Sequence, residues 1–493
     1  MKFNIQALLL VLPVLMQPSA HAEETLSLEE AVNITIQNNY AYRIAKLNPE
    51  ISKEVITRQE SAFDTQLFAS GSVSQTEQSA TFSQVDGTSS DSRNWRVGAR
   101  KQLEQGTIVV AQTNLNRRSS NAGVNIGNLS QSSDFSVTVR QPLMNGFGRE
   151  ANTAALERAR AGLLGSIESY KASVQSILAN MEIAYWTVAR WQEQLQLDES
   201  NLRVAEALLE EAQERQRVGM VTQIEVLQAE AAKAQRMEEI ISTKQALGDA
   251  FDRLLAYMGT LPNNADPEPT HMVQQLDNNG EAIPEFAAAW NQALRTDPLL
   301  AAQEATIQQR EWDEIAARSA AKPNLDLVVT GAYAGVDDDK AQTAIENAID
   351  RDGHAWSVGV EFSMPWNLRG EKADLRIAGK QLEQENIRLL ELKQELFREV
   401  RSAWRSLQSV QQSVEAASLT VKLQEAAYER EKGKYEEGFS AFRDVLEAQN
   451  DLDQARIRLL RSKLLRRSSE IELARLSGNI FNRHGITPAM PKE

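Results

Sequence analysis

The chain has 493 residues, a formal charge of −15, no Cys and 13 Pro, and aromatics make up only 6 % of it. So acidic a chain lacks the basic face that would meet nucleic-acid phosphates. Without Cys it has neither disulfides nor a lipid-modified N-terminal Cys, so its stability must come from packing or assembly. Ala, Gln, Glu, Leu and Arg dominate, which fits long helices better than a thick globular core.

Lys2, an apolar run from Ile5 to Met16 and the small-x-small site Ala20-His21-Ala22 make a secretory signal peptide over residues 1–22. The run is shorter than the about 20 apolar residues that span a bilayer. The mature chain then begins near Glu23. No later stretch is apolar for long enough to be a transmembrane helix. Barrel strands carry a much weaker signal and stay open.

"SLEEAVNITIQNNYAYRIAKLN" (Ser27–Asn48) reads as a helical opening. After it, Phe63–Gln75, Asn94–Leu103, Thr107–Asn116 and Asp134–Leu143 alternate apolar or large residues with polar ones. Period two over about ten residues predicts barrel-type strands. Thr76–Arg93 and Arg117–Ser133, rich in Ser, Thr, Asn and Gly, predict exposed loops. "LEQGT" (Leu103–Thr107) predicts a tight hairpin turn. No Pro occurs between Pro142 and Pro262, and none between Pro365 and Pro488. Pro inside a helix costs about 3 kcal/mol, so such clean spans predict uninterrupted helix. Gly219 and Gly438 punctuate them as helix ends. The predicted helices are Arg149–Arg217 and Val221–Met258, then Glu371–Glu436 and Phe442–Ser477. Before the second pair lie a Pro-rich linker, a helical piece "PEFAAAWNQALRTDPLLAAQEA" (Pro284–Ala305), and strands at Asn324–Gly335 and His354–Pro365. An acidic loop, Val336–Gly353, separates those strands.

The chain is therefore a tandem repeat of short helices, strands and a long helical hairpin. "GMVTQIEVLQAE" (Gly219–Glu230) and "GFSAFRDVLEAQ" (Gly438–Gln449) match with one constant shift. It pairs Gly219 with Gly438, Val226 with Val445, Leu254 with Leu473, Gly259 with Gly478, and Glu225 with Asp444. A few strands cannot close a barrel and an open edge is not tolerated in lipid. Sparse, Ala-rich apolar seams on long helices also call for lateral partners. Both demands point to oligomerisation.

These two tip sequences, with "QPLMNGFGR" at the strand-to-helix junction, resemble the TolC-like family of outer-membrane efflux proteins across essentially the whole mature chain. The resemblance implies a mixed fold, an all-α tube plus a transmembrane β-barrel, with three protomers sharing both. It divides the chain into a signal peptide (1–22), N-terminal helices near the equator of the tube (23–62), first-half barrel strands and loops (63–145) and a first long helical hairpin (146–259). A linker (260–283), second-half short helices (284–322), second-half strands and loop (323–366), a second long hairpin (367–478) and a C-terminal tail (479–493) follow. The family's usual protomer supplies four barrel strands, whereas six segments alternate here. Asn94–Asn116 is thus either an extra hairpin in the barrel or a fold outside it.

The resemblance also places function. Val218, Gly219, Met220, Val221 and Thr222, with Gly438, Phe439, Ser440 and Ala441, match the periplasmic tips where a periplasmic adaptor (membrane fusion) protein docks. Asp444 and Glu447 match acidic positions that line the inner mouth. Three residues apart, they share a helix face, and in a trimer they become two carboxylate rings that attract cations. Glu225 and Tyr435 match a hydrogen-bonded pair that holds neighbouring hairpins closed. Ser440 occupies the place of a further basic partner, and Arg443 lies nearby.

The residues offer no chemistry of catalysis. His21, His271, His354 and His484 show no metal-ligand spacing. No G-x-S-x-G elbow occurs. "GFGRE" (Gly146–Glu150) has Ala151 where a nucleotide fingerprint needs Gly, and reads as a corner. "DDDK" (Asp337–Lys340) lacks the glycine and spaced ligands of a calcium loop. The expectation is a non-enzymatic exit duct of the outer membrane, without cofactor or metal, that works with an adaptor, an inner-membrane pump and the outer-membrane lipid, and binds no nucleic acid. A periplasmic or surface coiled-coil structural protein without a pore is the rival, and lipid-facing aromatics such as Phe135, Trp356 and Phe362 would decide against it.

Overall fold

The computed structural model describes residues 25–77, 89–120, 129–260, 272–276, 282–337, 340–350 and 353–486. The predicted signal peptide and much of the linker lie outside them. A two-residue strand β1 (Thr25–Leu26) leads into α1 (Leu28–Asn38) and α2 (Tyr40–Glu60). Ser27 caps the first helix and Asn39 the second, each side chain accepting a backbone N–H three residues on. Four strands follow, β2 (Gln66–Glu77), β3 (Ser89–Gln102), β4 (Ile108–Ser120) and β5 (Leu129–Pro142). The first hairpin of long helices is α3 (Arg149–Arg217) and α4 (Gln223–Met258).

The second half repeats the order. A short strand β6 (Met272–Val273) pairs parallel with β1. Then come α5 (Phe286–Thr296), α6 (Pro298–Ala320), β7 (Asn324–Asp337), α7 (Ala341–Ile349) and β8 (Gly353–Ser363). The second hairpin, α8 (Arg369–Glu436) and α9 (Phe442–Leu476), and a short α10 (Ile480–Arg483) close the chain. Asp297 breaks α5 from α6 as Asn39 breaks α1 from α2, accepting from Leu300 N at 2.8 Å. Three of the four short helices of the two openings, α1, α2 and α6, therefore start on the same capping chemistry.

The long helices end where the sequence places its glycines. With 69 and 68 residues, α3 and α8 each run about 100 Å. All four long helices close in the same left-handed cap. Gly219, Gly259, Gly438 and Gly478 have φ of 75°, 68°, 82° and 68°. In each, the glycine N–H and the next N–H turn back onto the last turn, as in Gly219 N to Gln216 O and Met220 N to Arg215 O. The constant shift of the repeat is thus a repeat of backbone geometry.

All six predicted strands form, in one antiparallel sheet of order β2-β3-β4-β5-β7-β8. The β3–β4 hairpin therefore stands inside the sheet. The Leu103–Thr107 turn is tight, with Gly106 at φ 91° and Leu103 N bonded to Thr107 O at 2.8 Å. Three of the loop expectations need correction. β2, β3, β4 and β5 extend several Ser-rich residues into the stretches read as loops, because ladder pairing satisfies their backbone whatever the side chains. The stretch Val336–Gly353 holds the nine-residue helix α7. Its Ala344 and Ala348 are buried, and Gly335 allows their backbone to approach so closely that a Cβ there would lie 2.3 Å from Ala344 O.

The main core sits where the short N-terminal helices cross the hairpin. Tyr185, Met181, Leu178, Val174 and Leu254 are fully buried there. The Tyr185 hydroxyl donates to Leu26 O at 2.7 Å and accepts from Gln274 N at 3.0 Å, tying β1 and β6 to α3. α10 docks on the same helix through buried Glu182, which meets Arg483 at 3.3 Å and His484 at 3.0 Å.

Candidate gate and docking site at the hairpin tips

The two tips lie at the far end of the hairpins from the sheet and share one small core. Leu208, Ala212, Val226, Ala229, Tyr428, Tyr435, Phe442, Val445 and Leu452 are buried together. Beyond that core the turns themselves are bare. Val218 is 66 % exposed, Met220 77 % and Phe439 80 %. Gly219, Thr222, Gly438 and Ala441 are exposed, while Val221 and Ser440 are half-buried. Large apolar side chains crowning a polar helical rod are the mark of an interaction surface.

Tyr435 sits just below the second turn. Its ring packs on Phe442 at 5.7 Å between centroids. The Arg215 guanidinium, in the last turn of α3, lies 4.5 Å from the ring centroid. Arg215 also donates to Tyr435 O at 3.3 Å and pairs with Glu211 at 2.6 Å. The hydrogen bond expected between Glu225 and Tyr435 is not made, because the Tyr435 hydroxyl is turned into the protein and has no hydrogen-bond partner. Burial pushes the phenol up from its ordinary value. The Arg215 charge opposes this, and Glu211 and Glu225 add to it. The basic group against the Tyr435 ring is Arg215, from the first hairpin. Ser440 instead donates to Glu431. A basic residue in the last helical turn was the available signal for Arg215.

Asp444 and Glu447 lie in the first two turns of α9, Asp444 half-buried and Glu447 exposed. Asp444 pairs with Arg443 at 3.5 Å.

Further along the hairpins lies a polar junction that the sequence did not announce. Arg236 of α4 meets Asp453 of α9 at 2.7 Å and Glu239 at 2.8 Å, and donates to Asn450 at 2.6 Å. Asp198 of α3 accepts from Thr243 at 2.6 Å and from Gln194 at 2.7 Å. Burial pushes the Asp453 carboxyl up to about 6. The charges of Arg236 and Arg456 oppose the rise, and those of Glu239 and Asp198 add to it. The desolvation cost thus exceeds the gain from the ion pair.

Two stretches of the chain, 109–260 and 289–479, match the family model of outer membrane efflux proteins and together cover more than half of it. The chain belongs to the outer membrane efflux protein family. This efflux protein is 24 % identical over 330 residues to the outer membrane efflux protein BepC of Brucella suis biovar 1 (strain 1330), covering 66 % of this chain and 68 % of that one. Its fold is that of solved outer-membrane channels. It matches the channel OprN with a TM-score of 0.71 at 16 % identity, over 92 % of this chain and 90 % of the other. It matches the CmeC channel of Campylobacter jejuni with 0.70 at 16 %, over 92 % and 85 %. The open-state MtrE channel of Neisseria gonorrhoeae gives 0.66 at 18 %, over 92 % and 89 %. The efflux protein is accordingly an outer-membrane protein with the fold of these channels, in a family that is not one of enzymes.

Proposed function

We propose that three copies of this efflux protein form the exit duct of a tripartite efflux or type I secretion system. Substrate passes from the periplasm or cytoplasm to the exterior, with an adaptor docked on the tips and an inner-membrane pump supplying the energy. The observation that carries this reading is the exposed apolar crown of Val218, Met220 and Phe439, at the opposite end of a rod of about 100 Å from the membrane sheet. Such residues on a bare turn suit a partner that meets the tube end-on, and the trimer multiplies the crown threefold.

In this reading the helical tips are the gate. Arg215 on the Tyr435 ring, with the Glu225 charge beside it, fastens the first hairpin to the second. Asp444 and Glu447 form rings of carboxylates just inside the mouth. Engagement of the adaptor splays the hairpins, and the acidic rings favour cations. Residues 1–22 are removed on export. The test is export in cells carrying charged substitutions on the crown, such as Met220→Asp with Phe439→Asp. Loss of export with the trimer intact in the outer membrane supports docking; full export with the altered crown removes it.

A further inference from the structure

We propose that all six strands of each chain stand in the wall of a single barrel, with the free edge of β8 docked on the free edge of β2 of the next copy. Three copies of six strands then close an eighteen-stranded barrel. The inference rests on the trimeric duct proposed above, and it departs from the four strands per chain that the family resemblance implies.

The facing pattern is the first ground. Strand residues alternate between the two faces of a sheet, and pairing carries each face across its neighbours. Following the ladder from Trp95 through Leu115 and Ser133 to Gly335 stays on one face. That face carries Leu67, Val73, Trp95, Val97, Phe135, Val329, Trp356, Val358, Val360 and Phe362, all of them exposed. The opposite face carries Ser70, Ser72 and Ser74 on β2, Asn94 and Arg96 on β3, Asn114 on β4, Asp134 on β5 and Glu361 on β8. An apolar band with aromatics on one side and a polar surface on the other is the pattern of a membrane barrel wall. β3 continues the apolar face with Trp95 and Val97, and β4 continues it with Val109, Ala111 and Leu115. A hairpin folded outside the wall would have no reason to continue the lipid face.

Side-chain bonds tie the same hairpin into the polar face. Arg96 donates to Asn114 at 2.8 Å, and Asn114 donates to Asp134 at 2.8 Å, crossing β3, β4 and β5. Arg140 reaches Asp326 at 2.8 Å and Glu361 at 2.7 Å, crossing β5, β7 and β8. On the apolar face Gly71 leaves room for the Trp95 ring, where a Cβ would lie 2.8 Å from it. Glycine and a cross-strand aromatic are fitted to each other there.

The edges are the second ground. β2 and β8 have 12 and 11 residues, and nearly all of each is exposed. Neither pairs with the other within the chain. In lipid an unpaired edge must be closed. Because every pairing in the sheet is antiparallel and six is even, β8 of one copy meets β2 of the next antiparallel without a change of hand. Barrel width grows roughly linearly with strand number, so the outer mouth would be about 1.5 times as wide as one built from four strands per chain.

Cryo-electron microscopy of the full-length protein in lipid nanodiscs tests this directly. Eighteen strands around a threefold axis are expected. A trimer with twelve wall strands and β3–β4 outside would overturn the inference and leave the duct standing. A species that is not a trimer would overturn the proposed function itself. The chain has no Cys, so engineered disulfides give a second reading. Ser357→Cys is combined in turn with Cys at the polar-face positions Ser70, Ser72 and Ser74, and at the other positions of that face of β2 from Gln66 to Thr76. Oxidation should link copies into ladders ending at three for at least one pair, and for none with Cys at Gly71 or Val73 on the opposite face. A native trimer that links at no polar-face position would overturn the docking of β8 on β2.

Discussion

The Arg215 guanidinium lies 4.5 Å from the centre of the Tyr435 ring, so the last turn of one hairpin holds the last turn of the other through a cation and an aromatic face. The pair joins residues 220 positions apart, one more than the shift of the repeat. Such a contact is worth about 0.5–2 kcal/mol, or roughly 2- to 30-fold in the balance between fastened and released tips. Arg215→Ala should raise single-channel conductance or open time by that order, and Tyr435→Ala should do the same. Tyr435→Phe keeps the ring and removes only a hydroxyl without a hydrogen-bond partner, so it should leave gating near that of the wild type. A Tyr435→Phe channel as leaky as Arg215→Ala would show that the hydroxyl, and not the ring, carries the closure.

The four cap glycines divide into two kinds. At Gly219 and Gly438 an added Cβ meets nothing within 4 Å, so Ala there costs only the left-handed conformation, about 1–2 kcal/mol each. At Gly259 the Cβ would lie 2.5 Å from Asn38 O, and at Gly478 it would lie 2.4 Å from the Thr296 hydroxyl. Gly219→Ala and Gly438→Ala should assemble in the membrane with altered export, whereas Gly259→Ala and Gly478→Ala should lower the amount of assembled protein. Trimer yield from outer membranes on native gels separates the two groups, and equal yields would contradict the packing.

Asp453 gives a pH dependence with a defined sign. Its carboxyl is raised from 3.8 to about 6, so its contribution to stability is fully present below about pH 4 and is lost as pH rises through about 6. A rise of that size corresponds to about 3 kcal/mol. The thermal midpoint of the purified protein should therefore fall between pH 4 and pH 7 by more in the wild type than in Asp453→Asn. Equal slopes would mean that the buried pair with Arg236 keeps the carboxylate ionised throughout that range.

The long helices, their glycine ends and the six strands were legible because each rests on a local rule. Helix needs freedom from Pro, a left-handed cap needs Gly, and a membrane wall needs alternation. The helix α7 was hidden because its small Ala344 and Ala348 draw their burial from Gly335 on a neighbouring strand, and acidic residues on its N-terminal side read as loop. Arg215 and the Arg236–Asp453 junction were hidden because charge pairs between hairpins leave no periodic trace. Their partners lie 220 and 214–217 residues away, close to the shift of the repeat, so the repeat itself brings such residues face to face. Tyr435 lies in the tip core with its hydroxyl unbonded to Glu225 within this chain, since a sequence match conveys neighbours without the direction in which a hydroxyl turns.

Conductance in a planar bilayer separates a gated, cation-preferring duct from a helical rod without a pore. Protein purified from outer membranes should give discrete, cation-preferring channels. Asp444→Asn with Glu447→Gln should lower that preference while preserving insertion. Unchanged selectivity would contradict the acidic rings, and absence of channels from both proteins, with the chain recovered in the soluble fraction, would contradict the duct.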